Sequence, residues 1–322
     1  MIEDQLAEIA AGVSRILASE LSGGSNELYR SAYHLPKQGG KRLRPFLVVK
    51  SCEIVGGNMA DALPAAAAVE MLHNFTLVHD DIMDNDLLRR GVPTVHTVWG
   101  EPLAILAGDL LFAKSFQLLL SRGGSAEQRR KAAEVLATAT VLLSEGQHLD
   151  MKFEEMSTVT EGEYLEMISG KTAALFKASA EIGAIMGGAA DPDIDRLGKY
   201  GWNLGMGFQI FDDYLAMKST EDVLGKAVGN DIREGKKTLI VIKGLETESR
   251  DQLKALLGRK DASDDDLASL ISSLESSGAI EYARSKAESY IESALGFIGG
   301  FQPSAAKKSL SELARLAISR KK

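Results

Sequence analysis

The sequence predicts an all-α fold, a single domain of ten or more helices packed closely around a large interior. Three observations predict it. Long segments place apolar residues at three- and four-residue spacing, the period of a helix with one buried face. Only 7 of the 322 residues are proline, so helix breakers are scarce. No segment alternates apolar and polar residues as a half-buried strand would.

Taken in order, the helical segments are 2–20, 41–56, 60–84, 101–121, 126–151, 161–187, 193–217, 237–246, 263–276, 279–297 and 303–319. Small flexible residues divide them at Gly23-Gly24-Ser25, Gly39-Gly40, Gly56-Gly57, Gly91-Val92-Pro93, Gly123-Gly124 and Gly299-Gly300. No repeat, low-complexity tract or long linker interrupts the series, so residues 1–322 read as one domain. Alanine-rich runs such as PAAAAVEML predict helices that approach closely.

Composition narrows the function. A net charge of −8 argues against general nucleic-acid binding and makes each local basic cluster more informative. Cys52 is the only cysteine, which excludes an intrachain disulfide or a cysteine-based metal site and fits the cytoplasm. The N-terminal stretch MIEDQLAEIA lacks the basic-then-apolar order of a signal peptide. The longest apolar runs are broken by Glu70 and Glu181, so no transmembrane segment is expected.

Residues 78–96 read VHDDIMDNDLLRRGVPTVH. On a helix, Asp80 and Asp84 share a face at about 5–6 Å between Cβ atoms, with Asp81 beside them. Two like charges about 4 Å apart cost roughly 1 kcal/mol in water and about 4 at an effective dielectric of 20. A bound cation removes that penalty. Carboxylates alone select hard cations, and Mg²⁺ is typically held by one or two of them plus substrate phosphates. A solvated acidic helix end explains a single such cluster equally well.

A second cluster, FQIFDDYLA (208–216), follows about 130 residues later. Gln209, Asp212, Asp213 and Ala216 share one stripe, and facing acidic helices are a common way for helix bundles to hold metals. Lysines and arginines are grouped where phosphate would need them: Lys41, Arg42 and Arg44 in GGKRLRP, Arg89-Arg90, Lys171, then Lys226, Lys236 and Lys237. Each cluster alone reads as solvated surface. Together with two carboxylate pairs they predict a site for magnesium and diphosphate. GGKRLRP lacks the serine or threonine of a nucleotide P-loop.

The whole pattern resembles the trans-isoprenyl diphosphate (polyprenyl) synthases, and within them the archaeal-type geranylgeranyl diphosphate synthases. HDDIMDNDLLRRGVPTVH is similar to their first aspartate-rich motif and FQIFDDYLA to their second. GGKRLRP, GQHLD (146–150), KTAALF (171–176) and GKAVGNDIREGKKT (225–238) resemble further family blocks in the family order. The resemblance implies an isoprenoid-synthase-like fold with a deep central cavity, in a homodimer. It implies head-to-tail joining of isopentenyl diphosphate to dimethylallyl, geranyl or farnesyl diphosphate, with three Mg²⁺ per site and Mn²⁺ as a substitute.

Carried onto this chain, the resemblance makes Asp80, Asp84 and Asp212 the metal ligands, with Asp81 and Asp213 assisting. Arg89, Lys171, Lys226 and Lys236 would hold the allylic diphosphate. Lys41, Arg44, His73 and Arg90 would hold isopentenyl diphosphate, and Thr172 and Gln209 would line the reacting centre. His73 lies on the stripe of Asp80, although a lone histidine on an apolar helix is more often a core residue. Phe208 reads as core packing.

The second motif departs from the family pattern: Ala216 stands where a third aspartate is usual. Phe75 and Thr76 occupy the positions that set chain length. Thr76 is small and one turn from Asp80, whereas a helical wheel turns Phe75 aside. The single aromatic implies a geranylgeranyl product. The readings that compete are a farnesyl, longer-chain or mixed-product synthase, a related cyclase or head-to-head synthase, and a non-catalytic partner subunit, which Ala216 alone favours.

Overall fold

The computed structural model describes residues 2–22, 26–218 and 229–319. Helix α4, Met59–Met83, is the longest element built on small residues. Asn58 caps its start by accepting the Asp61 N–H at 3.0 Å. Ala62, Ala65, Ala66, Ala67 and Ala68 are fully buried along it, and such small side chains let neighbouring helices come close. Before α4 come α1 (Ile2–Leu21), α2 (Glu27–His34), a 3₁₀ turn at Pro36–Gln38, and α3 (Leu43–Ile54). After it come a two-residue hairpin, Leu88–Arg89 with Val92–Pro93, then α5 (Val95–Trp99) and α6 (Glu101–Ser121).

The chain continues as α7 (Ala126–Glu155), α8 (Glu161–Ile168), a π-helical turn at Ser169–Ala173, α9 (Ala174–Met186) and α10 (Asp191–Lys218). Then follow α11 (Asn230–Arg233), α12 (Leu239–Gly244), α13 (Arg250–Leu256), α14 (Asp264–Ser276), α15 (Ala279–Gly299) and α16 (Ala305–Ser319). The chain divides into two units. One comprises Met1–Ala137, Ala178–Gly198 and Phe301–Leu310; the other comprises Thr138–Lys177, Lys199–Gly300 and Ser311–Lys322.

In the first unit α4 packs against α3 and α6, burying Phe46, Leu47, Val48 and Val49 from α3 and Ala104, Ala107, Gly108 and Leu111 from α6. The second unit has its own core, which includes Tyr164, Met206, Ile210, Leu239, Ile240, Leu253, Leu270, Leu274, Ala283 and Ala287. Helix α8 is held at its N-terminus by a capping box, Thr160 with Glu163. Glu161 beside it meets Lys243 and Lys286 at 2.9 Å and the Tyr282 hydroxyl at 2.9 Å. Burial would raise the Glu161 carboxyl, but these three donors bring it down to about 2. The start of α8 is therefore anchored before the chain reaches the π turn.

The all-α expectation is met, with instructive differences. The hairpin and the short helices α2, α5, α11 and α13 are absent from the sequence reading, because such short elements span too few turns to show a period. The segment 161–187 is two α-helices joined by the π turn. A third difference concerns α6. By length and composition it is long and apolar enough to cross a membrane, contrary to the sequence expectation. It is apolar on two faces: Ala104, Ala107, Gly108 and Leu111 are buried within the first unit, whereas Ile105, Leu106, Phe112 and Leu120 are exposed.

Candidate active site

The first aspartate-rich motif sits at the C-terminus of α4. Asp84 is the C-cap, and a Schellman arrangement closes the helix: Asp86 N–H donates to Asp81 O at 3.0 Å and Asn85 N–H to Ile82 O at 3.3 Å. Asn85 takes the left-handed backbone, φ 54°, that this motif requires. A helix C-terminus carries about −0.5 of an elementary charge. Asp80, half-buried, and Asp84, exposed, add two carboxylates at that end. Such a placement favours any cation that arrives.

The four aspartates of this segment differ in situation. Asp81 is buried, and its Oδ1 accepts the Arg89 Nε–H; Arg89 also reaches Asp86 at 3.3 Å. Burial raises the Asp81 carboxyl, and Arg89 opposes that shift. Asp81 therefore anchors Arg89, while Asp80 and Asp84 stand at the helix end.

The hairpin that follows turns at Arg90-Gly91. Both have positive φ, 54° and 75°, which makes a type I′ turn and explains the glycine. Arg90 Nη1 donates to Gly39 O at 2.5 Å, tying the hairpin to the loop that carries Lys41 and leads into Arg44 at the start of α3. Arg44 Nη1 lies 3.3 Å from His73 Nε2. Burial first, then Arg44, Arg90, Arg42 and Arg89, hold His73 well below the ordinary histidine range. A neutral His73 among four arginines is an anion-seeking environment. The structure thus brings Arg44, His73 and Arg90 together and leaves Lys41 exposed on the loop joining them.

Phe75 turns toward α6. Its ring meets His79 at 4.8 Å and Phe112 at 5.3 Å, and Phe112 meets Phe116 at 5.2 Å. Thr76 spends its hydroxyl on His73 O at 2.8 Å. The helical wheel turns Phe75 away from Asp80, and its ring contacts lie with His79 and with Phe112 of α6. The wheel missed the aromatic ladder, although Phe112 and Phe116 at i and i+4 were a legible signal.

The second motif lies in the second unit, on the last turns of α10. Asp213 Oδ2 accepts the Tyr164 hydroxyl at 2.6 Å and its Oδ1 accepts Gln209 Nε2 at 2.9 Å. Gln209 Oε1 in turn accepts the Thr172 hydroxyl at 2.8 Å. One chain of hydrogen bonds so links α8, α10 and the π turn. Burial, and then Asp231 nearby, push Asp213 up to about 7 despite its two donors. Asp213 orients Gln209 and Thr172, and Asp212 beside it is half-buried. Ala216 follows Asp212 by one turn, so that turn of α10 lacks a further carboxylate. Lys171 is ion-paired with Asp150. Lys236 lies 2.8 Å from Glu234 and 3.8 Å from Asp231. Burial would lower its pKa, yet these acids hold it above the ordinary lysine range. Lys226 lies outside the described residues.

The π turn is positioned by two glycines. A Cβ on Gly146 of α7 would fall 2.7 Å from Gly170 C and 2.9 Å from Lys171 Cα; one on Gly170 would fall 2.6 Å from Leu142 O. Two backbones touch here, and π turns of this kind occur often at functional sites. Gly146→Ala is expected to displace Lys171 and Thr172 and lower turnover by about 100-fold, the usual result of misplacing reacting groups by an ångström. Steady-state kinetics beside Gly162→Ala, where a Cβ meets only Thr160 Oγ1 at 4.0 Å, checks this.

Among the described residues no three His, Cys, Asp or Glu side chains stand close enough to hold a metal by themselves. The donor set is nevertheless all oxygen, arranged as a carboxylate pair at a negative helix end. That fits Mg²⁺ arriving with a diphosphate, which completes its coordination. Besides Phe112 and Phe116, sequence reasoning missed Tyr164, Asp150 and Asp231 as partners. Asp150 lay in a quoted motif, whereas nothing in the local sequence marks Tyr164.

Comparison with known proteins shows the family. The Polyprenyl synthetase family model matches residues 25–274. A geranylgeranyl diphosphate synthase of Sulfolobus acidocaldarius is 46% identical over 322 residues, covering 98% of this chain and 97% of its own. A geranylfarnesyl diphosphate synthase of Aeropyrum pernix is 44% identical over 274 residues, covering 84% of this chain and 86% of its own. The crystal structure of geranylgeranyl pyrophosphate synthetase from Pyrococcus horikoshii superimposes with a TM-score of 0.93 at 41% identity, covering 99% of both chains. With a family model matched over residues 25–274 and relatives above 40% identity over nearly the whole chain, the chain belongs to the polyprenyl synthetase family.

Proposed function

We propose that this protein is a prenyltransferase that joins isopentenyl diphosphate head to tail to an allylic diphosphate, with geranylgeranyl diphosphate as its main product. The observation that carries the product length is Phe75, a lone braced aromatic five residues before Asp80. The names of the Sulfolobus and Pyrococcus relatives support it; that of the Aeropyrum relative marks the longer-chain alternative. We read residues 1–322 as one synthase domain, because the family match runs through both units.

Asp80, Asp84 and Asp212 are the residues that would hold Mg²⁺, which supplies positive charge against the departing diphosphate. Arg89, Lys171, Lys226 and Lys236 neutralise the allylic diphosphate as its bond to carbon breaks. Gln209 and Thr172, oriented by Asp213 and Tyr164, turn their oxygens toward the allylic cation. Arg44, His73, Arg90 and Lys41 hold isopentenyl diphosphate, whose double bond attacks that cation. The released diphosphate accepts the proton lost in the last step, so no side-chain base is required.

The exposed apolar face of α6, with Ile105, Leu106, Phe112 and Leu120, supports a homodimer. Sedimentation at twice the 34.6 kDa chain mass checks that state. A cytoplasmic setting is supported by Cys52 being the sole cysteine, which leaves no intrachain disulfide to form.

The functional test is product analysis. Purified protein is given isopentenyl diphosphate with dimethylallyl, geranyl or farnesyl diphosphate and Mg²⁺, with Mn²⁺ in parallel. Geranylgeranyl diphosphate from all three primers is expected. Accumulation of farnesyl or longer products would reassign the chain length, and no condensation without an added subunit would favour the partner-subunit reading.

A further inference from the structure

Of the three basic residues in GGKRLRP, one is buried. Arg42 is 4% exposed, while Lys41 is exposed and Arg44 half-buried. Arg42 also holds a left-handed backbone, φ 48° and ψ 39°, unusual for a residue with a side chain. Such a conformation persists only when its surroundings over-determine it. Here they do. The Arg42 guanidinium is ion-paired with Glu70 and donates from Nη2 to Pro36 O at 2.6 Å. Glu70, 2% exposed on α4, takes a second donor, Asn74 Nδ2, at 3.1 Å.

The consequence is geometric. Arg42 anchors inward to α4 and to the start of its own loop, at Pro36. Arg90 grips the same loop at Gly39 O. Lys41 and Arg44 flank Arg42 in sequence, and Arg44 reaches His73, one turn along α4 from Glu70. Glu70 also cancels the Arg42 charge, so Arg42 is spoken for.

We propose that Arg42 and Glu70 are the positioning pair of the isopentenyl diphosphate subsite: they touch no substrate, but hold the Gly39–Arg42 loop in the turn that presents Lys41, and Arg44 at the start of α3, beside His73 and Arg90. This rests on the subsite assignment made under Proposed function. Removing one partner leaves a buried charge unpaired, whereas replacing both by apolar residues of similar volume restores stability without restoring the hydrogen bond to Pro36.

The experiment is steady-state kinetics on the full chain with Mg²⁺, for wild type, Glu70→Gln, Arg42→Lys and the double variant Arg42→Met/Glu70→Leu, each with its melting temperature. The single variants are expected to raise KM for isopentenyl diphosphate at least tenfold, as loss of a supporting contact commonly does. KM for the allylic substrate and kcat at saturation are expected to stay within about threefold, because contacts to the other substrate are unaffected. The double variant is expected to recover the melting temperature while keeping the raised KM. If KM recovers with the melting temperature, or if both substrates' constants move together, the pair merely stabilises the fold and the proposal is overturned. A wild-type enzyme that consumes no isopentenyl diphosphate would instead remove the underlying functional reading.

Discussion

Asp80→Asn lowers turnover by about a thousandfold and at the same time blunts the stabilisation that Mg²⁺ with diphosphate gives the protein. The first effect follows from the leaving group. Diphosphate departs with developing negative charge, and removing one charged stabiliser of such a transition state typically costs a factor of 10²–10³ or more. A thousandfold is about 4 kcal/mol of barrier. The second effect follows from the helix end. Asp80 stands near the Asp84 C-cap, at the negative pole of α4. A carboxylate there adds to the negative pole that attracts a cation, and an asparagine does not. Wild type should therefore gain thermal stability on adding Mg²⁺ with inorganic diphosphate, and Asp80→Asn should gain much less. Asp86→Asn is the control, since Asp86 lies 3.3 Å from Arg89 and belongs to no ligand pair. Equal losses of turnover in both variants, or an equal gain in stability for Asp80→Asn and wild type on adding Mg²⁺ with diphosphate, would sink the assignment.

Phe75→Ser shifts the product beyond geranylgeranyl diphosphate. The resemblance to the family places residue 75 at the floor reached by the growing chain. The structure adds that the ring is braced by His79 and Phe112, with Phe112 resting on Phe116. A ring held on two sides resists displacement by an incoming isoprene unit. Serine removes the wall and leaves Thr76, whose small side chain does not replace it. Lost ring pairing costs about 0.5–1.5 kcal/mol beyond the buried area, which a protein of this size tolerates. Chromatography of the dephosphorylated prenols should show longer alcohols at the expense of geranylgeraniol, with little change in the initial rate from farnesyl diphosphate. Unchanged product length would remove Phe75 from the specificity argument.

Much of the site was legible because its chemistry is written in contiguous motifs. Asp80 and Asp84 could be paired from spacing alone, since a helix puts residues four apart on one side. Arg42 shows the limit of such reading. In sequence it is one of three basic residues in a row. Its burial comes from a left-handed turn and from Glu70, 28 residues away, which the sequence showed only as a break in an apolar run. Asp213 is similar: spacing put it beside Asp212, but Tyr164, 49 residues earlier, makes it an orienting group.

Periodicity and motif order sufficed to assign the helical class, the family resemblance and the residue types needed for a diphosphate, because these depend on neighbours within a few turns. The tertiary structure was needed to show which carboxylates are spent on internal partners, where the π turn sits and which way Phe75 faces. Those properties arise from backbone contacts such as Gly146 against Gly170 and from partners distant in sequence, which local spacing does not encode.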